Sequence, residues 1–289
     1  MKNIVLLGSS GFLGTSILKK LDTKKFTIKT LSHKQKIPFK FNPTSGSILS
    51  KSVLNNLIQD GDFVINLTGQ FSSNLKSFFQ INLNGNLNLL NILKNKKNIK
   101  LILISTTAVY GDNPKSFIES DEPKPHSIYG MTKFLTEQLC EKFSKENNLD
   151  ITILRISNLY GPNKKDGIIT NLLKSTNSKN PISLNHNGDQ IRDFLFVDDA
   201  ADGIIQSIKY FKPGFQIFNI STGIKYSIKD IIREIEKTDL TLNFKTSISK
   251  PDEFCNYANN FKSKKFLHFK PKTSFQKGLK LTIDNFLNN

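Results

Sequence analysis

At 289 residues the chain has room for one large domain or two modest ones, and its 37% hydrophobic residues, with 23 Phe, can build a core and exclude an intrinsically disordered chain. The formal net charge of +17 admits a nucleic-acid binder, but Arg155, Arg192 and Arg233 are the only arginines and the lysines are scattered without a dense cluster. The favoured reading is a lysine-rich solvated surface that attracts anionic metabolites, so nucleic acid is not an expected partner. No apolar run has the length of a bilayer span, and a strand begins at once with no secretory leader before it, so no membrane partner is expected. Cys140 and Cys255 fit neither a disulfide framework nor a metal spacing, and no metal is expected; together these points predict a cytoplasmic protein.

Lys2 to Leu7 is an apolar, β-branched run, read as a buried parallel strand. Apolar residues at 13, 17, 18 and 21 then mark one face of a helix. Between them lies Gly8-Ser9-Ser10-Gly11-Phe12-Leu13-Gly14. Such a turn from a first strand into a first helix is where a doubly wound sheet holds a dinucleotide. Gly8 permits the tight turn, Gly11 the approach of a pyrophosphate and Gly14 close helix packing, while the helix N-terminus offers N–H groups to the anion. Phe26 to Leu31 predicts a second strand ending at Ser32-His33-Lys34. No acid stands there to take the adenosine ribose, and His33 and Lys34 suit a 2′-phosphate, which favours NADP(H) over NAD(H).

Further strands are predicted over 62–67, 99–104 and 151–156, with helices over 52–59, 75–94 and 128–146. This alternation implies α/β architecture: a Rossmann-like, doubly wound parallel sheet with right-handed crossovers. Beyond 157 the pattern loosens. Helices at 168–174 and 197–211 and strands at 181–184 and 217–220 are read there, and the last 65 or so residues are read as short elements. The division expected is a dinucleotide-binding domain over 1–160, with 190–222 returning to it, and a small C-terminal substrate-binding lobe made of 161–189 and 223–289.

Tyr129 and Lys133 stand four apart on a predicted helix and so share a face. A phenol of pKa about 10 is a poor base at neutral pH, and lowering it by about three units takes roughly 4 kcal/mol of preferential stabilisation of the phenolate. A neighbouring cation supplies a large part of that. Tyr160 and Lys164 repeat the spacing, but Gly161-Pro162 makes that segment a turn. The strand over 99–104 runs into Ser105-Thr106-Thr107, placing hydroxyls where open α/β sheets bind ligands.

These residues resemble the extended short-chain dehydrogenase/reductases, the NAD-dependent epimerase/dehydratase family. The likeness rests on the glycine turn, on Ser105-Thr106-Thr107-Ala108-Val109-Tyr110-Gly111 and on Tyr129-xxx-Lys133. Four stretches downstream extend it in order: Asn82-xx-Gly85-Asn86, Leu154 to Pro162, Arg192 to Asp199, and Phe218 to Gly223; Phe269-Lys270-Pro271-Lys272-Thr273 also fits.

The resemblance implies a nucleotide-diphosphate sugar as substrate and assigns roles. Thr106 would bond the sugar oxygen that becomes a carbonyl, Tyr129 would exchange its proton, and Lys133 would hold the nicotinamide ribose and depress the Tyr129 pKa. Gly8, Ser10, Gly11, Phe12, Leu13 and Gly14 would hold the cofactor pyrophosphate, and Ser32, His33 and Lys34 its adenosine ribose. Leu67, Thr68, Asn82, Ser105 and Ile156 would line the rest of the cofactor site. Asn158, Arg192 and Lys250 would contact the substrate diphosphate. Dehydratases of the family carry Asp-Glu after the catalytic Thr, where this chain has Thr107-Ala108, so 4,6-dehydration is not expected. The function expected is an NAD(P)-dependent 4-ketoreductase. The alternative is a nucleotide-sugar 4-epimerase with retained NAD; more remote is a non-catalytic dinucleotide sensor or RNA-binding protein. A homodimer through helices near 78–94 and 128–146 is also implied.

Overall fold

The computed structural model describes residues 2–33, 43–70, 75–248 and 254–288. Lys34 and Lys250 lie outside the described residues. In chain order the first elements are β1 (Lys2–Leu7), α1 (Phe12–Lys20), β2 (Phe26–Ser32), β3 (Thr44–Ser45), α2 (Lys51–Leu57), β4 (Phe63–Asn66), α3 (Leu75–Phe79), α4 (Gly85–Leu93), β5 (Lys100–Thr106), α5 (Ile128–Asn147) and β6 (Asp150–Ile156). They are followed by β7 (Asn158–Tyr160), α6 (Ile168–Ser175), β8 (Ile182–Leu184), β9 (Ile191–Arg192), β10 (Phe194–Phe196), α7 (Val197–Lys209) and β11 (Phe215–Ile220). The chain ends with β12 (Tyr226–Ser227), α8 (Ile228–Glu236), β13 (Phe244–Thr246), β14 (Cys255–Asn256), α9 (Phe261–Leu267) and α10 (Phe275–Leu287).

Seven strands form one sheet in the order β11-β6-β5-β4-β1-β2-β3, and every pairing within it is parallel. Strand order reverses between β1 and β4, so the turns leaving these strands diverge to opposite faces and open a crevice. The central strands are apolar because both sheet faces are covered; Ile4, Val5, Leu6 and Leu7 are all fully buried. One face packs on α1 and α7, the other on α2, α4 and α5. Leu267 and Phe269, from the stretch assigned to the lobe by sequence, are buried against the first of these faces. A third core, built from residues after 159, joins Tyr160, Phe194, Phe196, Ile231, Phe275 and Ile283.

The helix predicted over 75–94 is interrupted. Between α3 and α4, Gln80–Asn84 forms a π turn, a widening of the helix that is common at functional sites. The last segment is also more regular than the short elements expected. Ser227 and Asp230 make a reciprocal cap on α8, which buries Ile228, Ile231, Ile232 and Ile235, and α10 runs for 13 residues from its Ser274 cap.

The outer edge of β11 is occupied by side chains. Asn219 N donates to Glu119 Oε1 at 2.8 Å, and Lys262 Nζ donates to Ile217 O at 2.8 Å.

The contact that sets the site is the seat of α1. A Cβ on Gly14 would stand 2.5 Å from Gly8 O and 2.7 Å from Ser9 O, both immobile backbone. Gly14→Ala should therefore displace the glycine turn at a cost of about 1–3 kcal/mol. A lowered denaturation midpoint, measured by thermal or chemical unfolding, is the expected result.

Candidate active site

The crevice between β1 and β4 begins with the glycine turn. Gly8 has φ +81°, which an L side chain rarely adopts, and Gly11 N donates to Gly8 O at 3.1 Å to close the turn. A Cβ on Gly8 would lie 3.1 Å from Thr68 N, so the turns after β1 and β4 are in contact. Gly11 is the N-cap of α1 with no side-chain cap, and the first turn carries no acid. The N–H groups at this helix start are thus turned toward an incoming anion, and the residues present fit a dinucleotide pyrophosphate.

Ser32 Oγ donates to Ser10 Oγ at 3.4 Å, bringing the end of β2 onto the glycine turn, and His33 is exposed beside it. The contact itself is made by two neutral hydroxyls. A cleft of about 420 Å³ adjoins it between α1 and residues 162–166, lined by Phe12, Lys164 and Asp198 among others. It borders the glycine turn and is not lined by Thr106, Tyr129 or Lys133.

The loop after β4 is shaped by buried amides. Asn66 Oδ1 accepts from Thr68 N at 2.9 Å and from Thr68 Oγ1 at 2.6 Å, while Asn66 Nδ2 donates to Asn86 Oδ1 at 2.7 Å. Asn86 Nδ2 donates to Asn82 O at 2.8 Å. Asn82, in the π turn, grips Gln70 from both sides: Gln70 N donates to Oδ1 at 2.9 Å, and Nδ2 donates to Gln70 O at 3.0 Å. Its side chain is thus spent on clamping the loop after β4. Leu67 packs on the sheet core beside this loop.

Thr106, Tyr129 and Lys133 come together at the ends of β5 and α5. Thr106 Oγ1 accepts from Ala108 N at 3.2 Å, which leaves the hydroxyl proton to donate. Ser127 caps α5, accepting from Gly130 N at 3.1 Å. A Cβ on Gly130 would sit 2.6 Å from Ala108 O, so the helix start lies directly on the turn that follows Thr106. Tyr129 meets the Phe78 ring at 6.4 Å between centroids. Lys133 Nζ donates to Ile104 O at 3.0 Å, and a Cβ on Gly69 would be 3.3 Å from the same Nζ. Three elements therefore converge on this ammonium: α5, β5 and the loop after β4.

Burial governs both titrations. It pushes the Tyr129 phenol up to about 12. It pulls Lys133 down to about 8, against the field of the Glu137 carboxylate, which raises it. Burial alone accounts for the upward shift of Tyr129, and no opposing pull from Lys133 accompanies it.

Ser105, expected at the cofactor, turns its hydroxyl the other way and donates it to Glu137 Oε1 in the interior. Alternation along β5 explains this: Thr106 faces the crevice, so Ser105 faces α5. Ile156, at the end of β6, is 4% exposed and belongs to the core. Asn158 is exposed and its Nδ2 donates to Asp193 O at 3.3 Å, next to Arg192. Arg192 Nη1 donates to Ile191 O at 2.8 Å and Phe254 O at 3.3 Å, so backbone carbonyls orient the guanidinium; Asp193 is engaged elsewhere. Asp193 is fully buried and accepts from Ser157, Thr222 and Gly223. Tyr160, of the second Tyr/Lys spacing, lies in the third core with its hydroxyl on Phe275 O at 3.3 Å, while Lys164 pairs with Asp166 at 2.9 Å. Among the described residues no three His, Cys, Asp or Glu side chains gather as metal ligands, and no helix is long and apolar enough to cross a membrane.

A switch-point crevice with a glycine turn and a Thr/Tyr/Lys trio defines a dinucleotide-dependent enzyme on a Rossmann-like sheet. Residues 4–221 match the sequence profile of the NAD dependent epimerase/dehydratase family, and the chain is an enzyme of that family. It is 34% identical over 212 residues to a UDP-glucuronate 4-epimerase of Thermodesulfobacterium geofontis, covering 70% of this chain and 64% of that protein, under two thirds of its length. It is 28% identical over 320 residues to a UDP-N-acetyl-alpha-D-glucosaminuronate decarboxylase of Bacillus cytotoxicus, covering 99% of this chain and 98% of the relative. The fold superposes on a UDP-glucuronic acid 4-epimerase from Bacillus cereus, solved with UDP-glucuronic acid and NAD, with a TM-score of 0.89, 26% identity and 99% of both chains covered.

Asn66, Gly69, Gln70 and Glu137 were not among the residues picked from sequence. Glu137 carried a legible signal, since 129, 133 and 137 form an i, i+4, i+8 stripe on α5. The asparagine clamp is built through the π turn and had none. Asn82→Ala should cost about 1–3 kcal/mol by leaving Gln70 unclamped. Faster amide exchange at Gly69 and Gln70 than elsewhere near the sheet is the accompanying signature.

Proposed function

We propose that the protein is a nucleotide-sugar 4-epimerase that works through reversible oxidation at the sugar C4. The observation that carries this reading is the Thr106/Tyr129/Lys133 trio with no carboxylate beside Thr106, where the chain has Thr107 and Ala108. The trio suffices for oxidation and reduction of a carbinol. Elimination of water needs a further acid and base next to the reacting carbon, so the reading excludes 4,6-dehydration. The likeness to UDP-glucuronate 4-epimerases supports the same choice.

In this reading the nicotinamide, when bound, supplies the hydride-accepting carbon. Thr106 donates to the sugar O4 and fixes it against Tyr129, which takes the hydroxyl proton as C4 becomes a carbonyl and returns it on reduction. A phenol near 12 is too weak a base, so Tyr129 must be drawn down in the loaded site, and Lys133 lies one turn away as a cation to help. Arg192 and Asn158 take the diphosphate, a planar guanidinium being suited to bidentate contact with phosphate. Loss of turnover by at least about 100-fold in Tyr129→Phe, with NAD binding kept, is expected when a panel of nucleotide-sugars is followed by mass spectrometry. Full activity in that variant would sink the assignment.

A second reading, an NADP(H)-dependent 4-ketoreductase, is favoured by Ser10, Ser32 and His33, which put no carboxylate against the adenosine ribose. The panel separates the two: an epimerase interconverts sugars without net use of added cofactor, whereas a reductase consumes one NADPH per product.

A homodimer belongs to the same proposal. Ile128, Met131 and Leu135 expose 43–49% of their surface on one stripe of α5, and Phe79 and Leu87 are exposed on α3 and α4. Met131→Lys should shift a dimer mass toward monomer in light scattering; a wild-type monomer would overturn the idea.

A further inference from the structure

Glu137 lies one turn beyond Lys133 on α5 and is 1% exposed. Two strands lock it. Ser105 of β5 donates its hydroxyl to Oε1. From β6, Arg155 Nε donates to both carboxylate oxygens at 3.2 and 3.1 Å, and Nη2 donates to Oε2 at 2.6 Å. Arg155 is itself 2% exposed, stacks over Tyr110 with its guanidinium carbon 4.6 Å from the ring centroid, and keeps Nη1 buried without a hydrogen-bond partner. A buried ion pair of this kind is an expensive way to join a helix to a sheet, since apolar residues do so at less cost in desolvation. A purely structural role does not account for it.

The surroundings of Lys133 supply a reason. Burial in this closed site favours the neutral amine. The groups packed on the ammonium from β5 and the loop after β4 are the Ile104 carbonyl and the Gly69 backbone, neither of them charged. On α5 itself, Tyr129 and Cys140 are both held in their neutral forms by burial. That leaves Glu137 as the anion acting on Lys133 among the described residues.

We infer that Glu137 is a positioning residue for the reaction: clamped by Arg155 and Ser105 one turn along α5 from Lys133, its carboxylate is the counter-charge that keeps Lys133 a cation. This rests on the role given above to Tyr129 and Lys133. A cationic Lys133 is what can draw the Tyr129 phenol down; a neutral one cannot.

The test is the pH dependence of kcat/KM in the full-length protein from about pH 5.5 to 9.5, compared with Glu137→Gln, which keeps an acceptor for Arg155 and loses the charge. The alkaline limb should move down by about one unit, giving about a fivefold loss at pH 8 and less than about twofold at pH 6. A uniform loss with the limb unmoved would make Glu137 a packing residue and overturn the proposal. Should Glu137→Gln fail to fold around the unpaired guanidinium, the double variant Glu137→Gln/Arg155→Met removes both charges and must show the same displacement. Arg155→Met alone keeps the carboxylate and should not lower the limb. If the wild type turns over no nucleotide-sugar, the epimerase reading fails, but Glu137 is still tested by NAD affinity against pH: the alkaline transition that Lys133→Met abolishes should move down in Glu137→Gln, and an unmoved transition overturns the inference.

Discussion

The site depends on how closely α1 comes down on the end of β1. Gly14 lies against the carbonyls of Gly8 and Ser9 with no room for a Cβ, and Gly8 in turn touches the loop after β4. This contact fixes where the N–H groups of the helix point. Through Thr68 it also fixes the loop whose Gly69 abuts Lys133. The anion-binding end of the crevice and its chemical end are thus two sides of one backbone contact, made where the strand order reverses.

Around that contact the protein uses two kinds of polar interior. The asparagine series from Asn66 through Asn86 and Asn82 to Gln70 is uncharged and continuously hydrogen-bonded, and it gives a loop a single shape. The Ser105–Glu137–Arg155 group is charged, and it borders the one buried ammonium of the trio. Geometry is carried by amides and charge state by ions. Substitutions in the first group should act on the positions of atoms, and in the second on the protonation of atoms already in place.

Much of this was legible in the sequence. The runs 2–7 and 99–104 are rich in apolar residues because both faces of a parallel sheet are buried, while 26–31 alternates; the first two of the three, 2–7 and 26–31, lie within observed strands, and the run from 99 overlaps β5, which begins one residue later at Lys100. Tyr129 and Lys133 were legible because a helix puts residues four apart on one face. The bond of the Ser105 hydroxyl to Glu137 was not legible, because it depends on which face of β5 the residue takes and on what α5 brings against it. The role of Asn82 was obscured by the π turn, which breaks the 3.6-residue period that a reading of 75–94 as one helix assumes. The end of the chain was under-read: the isoleucines at 228, 231, 232 and 235 already had helical spacing, with Ser227 and Asp230 in capping positions.

The side chains bonded along β11 have a consequence for the protein in concentrated solution. A seven-stranded parallel sheet has two rims, and a bare rim is a template on which another molecule can add a strand. Here one rim ends in the two-residue β3. On the other, a glutamate and a lysine occupy backbone groups of Asn219 and Ile217. An invading strand would have to strip two charged groups from their bonds before gaining its own. The same features that finish the fold therefore also oppose its aggregation.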